Sequence, residues 1–118
     1  MRALILLAHG SKVKECLKSV ELHKRRIEKL DLFDEIFIAF LEFDPSLDEI
    51  IEKCRSSVVY VVPLFMSYGI HTLEDIPKIV KKAKNKSRKK IILCEPVGTD
   101  PLITYAILNK VMEKISGV

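Results

Sequence analysis

Two histidines, His9 and His71, are the side chains of this sequence best suited to chemistry. His9 stands in Ala8-His9-Gly10-Ser11. His71 stands in an apolar stretch running from Pro63 to Pro77 that also holds Phe65, Met66, Ser67, Tyr68, Gly69 and Ile70. A neutral imidazole binds divalent first-row metals, and it can take up a proton once the metal has left. Each histidine follows a short apolar run of the kind that forms a strand covered on both faces. Two such groups, with little else for chemistry, point toward the handling of a metal ion.

The elements that must position them follow from pattern. Residues 3–8 read as a first strand, 35–40 as a second, 57–62 as a third and 90–94 as a fourth. Between them, residues 13–30 carry apolar positions at helical spacing. A second helix opens at Asp44-Pro45-Ser46, with Pro45 in its first turn, and runs to about Cys54. A third begins between Thr72 and Pro77 and runs to about Lys84, which leaves His71 in a loop. A last helix starts at Asp100-Pro101 and ends near Ile115. Alternating strands and helices imply a parallel sheet with right-handed crossovers. The expected architecture is α/β: one doubly wound four-stranded sheet in the order 2-1-3-4, flanked by helices. All of residues 1–118 fall in a single domain. In that order both histidines leave strands at the switch point between strands 1 and 3, where ligands of open α/β sheets bind.

Neighbouring residues sharpen the site. Gly10 lets the main chain pass close to a ligand, and the helix start at Ser11 and Lys12 offers free N–H groups to an anion. Gly69 suits a tight bend before His71. Glu42, just after the second strand, shares the carboxyl edge and could take a proton or steady a cation. Cys94 and Glu95 share that edge too, though a cysteine there is more simply a small hydrophobe. His23, in mid-helix beside Val20 and Ile27, reads as structural. A histidine before glycine also marks phosphatases that form a phosphohistidine, but those set an arginine before the histidine, and here Ala8 stands there. The sequence has neither GxxxxGK[ST] nor GxGxxG to hold a nucleotide.

Composition limits the partners. A net charge of +4 and a pI near 9.0 suit an acidic ligand. The lysines cluster between Lys78 and Lys90 without interleaved aromatics, so a solvated helix face is expected rather than a nucleic-acid surface. Three cysteines without CxxC spacing indicate a reducing cytoplasm, not a disulfide or zinc scaffold. No apolar stretch approaches the ~20 residues that span a bilayer, and no membrane association is expected.

Leu7-Ala8-His9-Gly10-Ser11, Val62-Pro63-Leu64-Phe65 leading to Gly69-Ile70-His71 and Glu74-Asp75-Ile76-Pro77, and the closing run from Glu95 to Leu102 resemble the small archaeal CbiX-type sirohydrochlorin chelatases, class II enzymes. The resemblance covers essentially the whole chain. It implies a half-lobe of the chelatase fold that works as a homodimer, and insertion of Co²⁺, Ni²⁺ or Fe²⁺ into sirohydrochlorin, with cobalt foremost. That product feeds cobalamin, sirohaem or F430 synthesis. The family's two histidines fall on His9 and His71, which would bind the metal substrate, with no tightly bound cofactor. A carboxylate of the tetrapyrrole could be held by the main-chain N–H groups of Ser11 and Lys12 and, more loosely, by the hydroxyls of Ser67 and Tyr68, with Gly10, Glu42, Gly69 and Ile70 also expected to line its site. Lys12 stands where the family commonly has arginine, which keeps the charge but loses the bidentate fork. A non-catalytic tetrapyrrole or metal carrier, or a flavodoxin-like regulatory module, would use the same scaffold.

Overall fold

The computed structural model describes residues 1–10, 14–67 and 69–115, with the main chain alone for 14–16 and 70–73. Its elements are β1 (Arg2–Ala8), α1 (Lys14–Glu28), β2 (Glu35–Phe40), α2 (Leu47–Lys53), β3 (Val58–Pro63), α3 (Ile70–Lys86), β4 (Lys90–Leu93), a 3-10 turn at Val97–Thr99, and α4 (Pro101–Ile115). The strands form one parallel sheet in the expected order, β2-β1-β3-β4. Val13, the expected start of α1, lies outside the described residues.

The strand pairing sorts side chains onto two faces. Ala3, Ile5 and Leu7 stand beside Phe37 and Ala39 on one flank and Val59 and Val61 on the other, with Ile91 and Leu93 beyond. This face packs against Leu47, Ile50 and Ile51 of α2 and Ile76, Val80 and Ala83 of α3, and together they are the core. The other face carries Leu4 and Leu6, which are buried, and Ile36, Ile38, Tyr60, Val62 and Ile92, which are only half-buried. There α1 lies along β1 and β2.

Two helix starts differ from the sequence reading. Pro45 precedes α2 instead of entering its first turn. Ser46 is the cap, its hydroxyl accepting from the Glu49 N–H at 3.4 Å, while the Pro45 carbonyl accepts from the Phe40 N–H at 2.9 Å. The larger correction concerns α3, which begins at Ile70 and passes through Pro77. An interior proline costs a helix about 3 kcal/mol. Burial of Ile76, Val80 and Ala83 beside it outweighs that, at roughly 1.5–3 kcal/mol for each large apolar side chain. His71 therefore lies in the first turn of a helix and not in a loop.

Lys89, part of the basic run, is structural. Its ammonium donates to the Ile51 and Glu52 carbonyls at the end of α2, where a cation also meets the negative end of the helix dipole.

Candidate active site

The carboxyl edge of the sheet holds a cavity of about 740 Å³. Its apolar walls are Ala8, Leu17, Val20, Phe40, Phe43, Leu64 and Val97, and its polar groups are His9, Ser19, His23 and Asp44. It lies over the ends of β1 and β2 on the α1 side and reaches Leu64 beyond β3.

His9 follows directly on β1, and its position is fixed from two sides. The Glu42 N–H donates to the His9 carbonyl at 3.0 Å and the Leu41 N–H to the Ala8 carbonyl at 3.0 Å, so pairing with the β2 side continues past the strand. The imidazole packs on the ring of Phe65, centroids 4.7 Å apart and tilted by 39°. Its side chain remains 51% exposed, which leaves the ring accessible to a ligand. Nδ1 stands 4.0 Å from Oε1 of Glu42, itself well exposed. At that distance and exposure the pair holds weakly.

Gly10 is required twice over. Its φ of +100° belongs to the region that favours glycine, and a β-carbon there would collide with the ring of Phe43. Gly69, by contrast, is extended at φ −78° and ψ 172° and caps α3, so no tight bend occurs there. Ser67 is exposed on the segment between β3 and α3. The main chain puts Ile70 and His71 in the first turn of α3, the helix that follows β3 in the chain. The side chains of Ile70 and His71, and the residues Ser11, Lys12 and Tyr68, lie outside what is described.

The closing segment has a mechanical task that pattern alone conceals. A β-carbon on Gly98 would sit inside the main chain of Met66, and the Gly98 N–H donates to the Phe65 carbonyl at 2.9 Å. The turn at 97–99 therefore clamps the segment that leads to His71, and through Phe65 it also backs the His9 ring. Cys94 is only partly buried, and burial raises its thiol above the ordinary value, so it stays protonated and ligates poorly at neutral pH. Among the described residues no three His, Cys, Asp or Glu side chains cluster to hold a metal.

The CbiX family model matches residues 3–114. The chain belongs to the CbiX family. Among curated CbiX relatives, the sirohydrochlorin cobaltochelatase of Sulfolobus acidocaldarius is 32% identical over 120 residues, covering 98% of this chain and 94% of that protein. A putative cobalamin biosynthesis CbiX protein from Marinobacter aquaeolei superposes with a TM-score of 0.83 at 30% identity, with both chains covered in full. The sirohydrochlorin chelatase SirB of Bacillus subtilis, solved in complex with cobalt, shares the fold at a TM-score of 0.81 and 23% identity. That match takes in 95% of this chain and 50% of SirB.

The geometry also brings forward side chains that the sequence reading had set aside or passed over. His23 is exposed and lines the cavity that His9 borders. Its spacing from Val20 and Leu17, three and six residues, puts all three on one side of α1, and that periodicity was the available signal. Phe43 and Asp44, immediately after Glu42, line the same cavity. Among the described residues no helix is long and apolar enough to cross a membrane.

Proposed function

We propose that this CbiX protein inserts a divalent metal, with cobalt foremost, into sirohydrochlorin, and that His9 and His71 carry the metal substrate to the ring. The observation that supports this most is the half-exposed His9 imidazole at the rim of an apolar-walled cavity on the carboxyl edge. A tetrapyrrole is flat and apolar at its centre and edged with carboxylates. Walls such as Phe40, Phe43 and Leu64 suit the ring, and the basic balance of the chain suits the rim. The main-chain N–H groups of Ser11 and Lys12 and the hydroxyls of Ser67 and Tyr68 would orient the carboxylates. Such contacts contribute roughly 1 kcal/mol each.

The chemistry needs ligands that bind and then release. Two neutral imidazoles do this better than a closed thiolate cage. Insertion forms metal–nitrogen bonds to the macrocycle and displaces two pyrrole protons. Each imidazole, having given up the metal, has a lone pair free to accept one of them. Glu42, 4.0 Å from His9, would pass such a proton to solvent. A cavity open on one side lacks a second wall, and a second copy of the chain would supply it. The protein is accordingly proposed to act as a homodimer.

The test is incubation with sirohydrochlorin and Co²⁺, Ni²⁺ or Fe²⁺ in parallel, followed by the visible spectrum. Metallation faster than the uncatalysed reaction is expected, fastest with cobalt. A spectrum that shifts on mixing without faster metallation would identify a carrier instead.

A further inference from the structure

One side of α1 carries a polar stripe that metal transfer through His9 and His71 leaves unused. Ser19, His23 and Arg26 recur at spacings of four and three, so they follow one line along the helix. Ser19 and His23 line the cavity at the carboxyl edge, and Arg26, in the basic last turn, stands one turn beyond His23. All three are exposed. Neither the His23 imidazole nor the Arg26 guanidinium has a partner among the described residues.

His23 breaks the burial pattern around it. Val20 and Ile27, one turn to either side, are half-buried, yet the imidazole between them is exposed. The cavity opens at that point, so the ring meets open space where its neighbours meet protein. Nor does it join the metal-handling group. Nδ1 of His9 and Oε1 of Glu42 lie 4.0 Å apart, but among the described residues no third His, Cys, Asp or Glu closes with them into a metal cluster. His23 thus borders the same cavity as His9 while standing apart from it.

The charges around the cavity are sorted. Asp44 lines it and Glu42 stands beside His9, both on the segment after β2. The hydroxyl of Ser19, the imidazole of His23 and the guanidinium of Arg26 stand on α1 instead. A flat ring edged with carboxylates is repelled by the first side and drawn to the second. A neutral imidazole offers one N–H to such a carboxylate, and arginine offers a two-pronged fork.

We propose that His23 binds a peripheral carboxylate of the tetrapyrrole, with Arg26 meeting a second at the rim. This deepens the sirohydrochlorin reading above and rests on it. Chelation needs the centre of the ring at the metal, and holding its edge on α1 sets that register. It also gives the site a means of preferring a ring rich in carboxylates over an apolar one.

The test titrates sirohydrochlorin without metal, following its visible spectrum, and measures initial rates of Co²⁺ insertion on the same proteins. His23→Ala should raise both Kd and KM for sirohydrochlorin roughly tenfold, while kcat and the KM for Co²⁺ stay within about twofold. His23→Gln, which keeps an N–H donor but is a poor cobalt ligand, should recover most of the affinity. Arg26→Ala should raise the same Kd by roughly threefold, since its charge is more exposed to solvent. An unchanged Kd in His23→Ala overturns the proposal. So does a raised KM for Co²⁺ at unchanged Kd, which would make His23 a metal ligand. Loss of affinity together with a lowered thermal midpoint, and no recovery in His23→Gln, would mean a packing role and also overturns it. A wild type that binds sirohydrochlorin without speeding metallation rejects the chelatase reading, while the Kd of His23→Ala still decides the anchor. A wild type that does not bind sirohydrochlorin overturns both.

Discussion

The two faces of the sheet are built to different standards. On one, Ile5, Leu7, Val59 and Val61 are sealed beneath α2 and α3, and every large side chain at the centre is out of water. On the other, α1 leaves Leu17 and Leu22 substantially exposed, the cavity opens beside it, and α4 stands apart. The difference separates two duties. Close packing is complete on the first face, and the second is left open at the cavity. A small α/β unit can carry an open, apolar site because the sealed face does not depend on it.

That contrast can be broken or sharpened by substitution, beginning with the site. His9→Ala should cut cobalt insertion roughly 100-fold or more, about 3 kcal/mol in the barrier, while the thermal midpoint stays nearly unchanged. A large fall in that midpoint would mean that the open face also carries stability. Ile5→Ala, on the sealed face, should cost about 3 kcal/mol in chemical denaturation. Leu17→Ala, on the open face, should cost less than about 1 kcal/mol, because its side chain is 40% exposed. Equal costs would erase the distinction.

Gly98→Ala tests the clamp between the faces. Forcing a β-carbon into the Met66 main chain should destabilise by about 2 kcal/mol and lower the metallation rate as well. The smallest effect is expected at Glu35, at the start of β2. Burial works to raise its carboxyl, but hydrogen bonds from the Ser56 hydroxyl and from the Arg55 and Ser56 N–H groups, with the Arg55 charge, hold it below its ordinary value of 4.5. A lowered value in the folded state stabilises at neutral pH, and that contribution is lost as pH falls through it. Glu35→Gln should therefore cost about 1 kcal/mol at pH 7. The gap to wild type should narrow below pH 4.5 in acid titrations of the denaturation midpoint.

Much of this was legible in the sequence. The four strands stand out as continuous apolar runs, and their alternation with helices makes 2-1-3-4 the simplest doubly wound order, which is the order observed. Helix boundaries were harder. Pro77 and Gly69 look like punctuation, and only the burial of Ile76 and Val80 shows why α3 runs through one and starts right after the other. The place of His9 on the carboxyl edge was readable from order alone, but its packing on Phe65 was not. His23 was set aside because its spacing from Leu17 and Val20 gives the face of α1 it occupies but not the cavity beside that face. The approach of Gly98 to Met66 joins segments far apart in sequence, and no local pattern encodes it.

The two histidines are proposed to act on one cation, and initial rates of Co²⁺ insertion into sirohydrochlorin by wild type and His71→Ala test this most directly. The rate should fall at least ~100-fold in the variant, with sirohydrochlorin still bound and the chain still folded. A His71→Ala protein that inserts cobalt as fast as wild type would contradict the account.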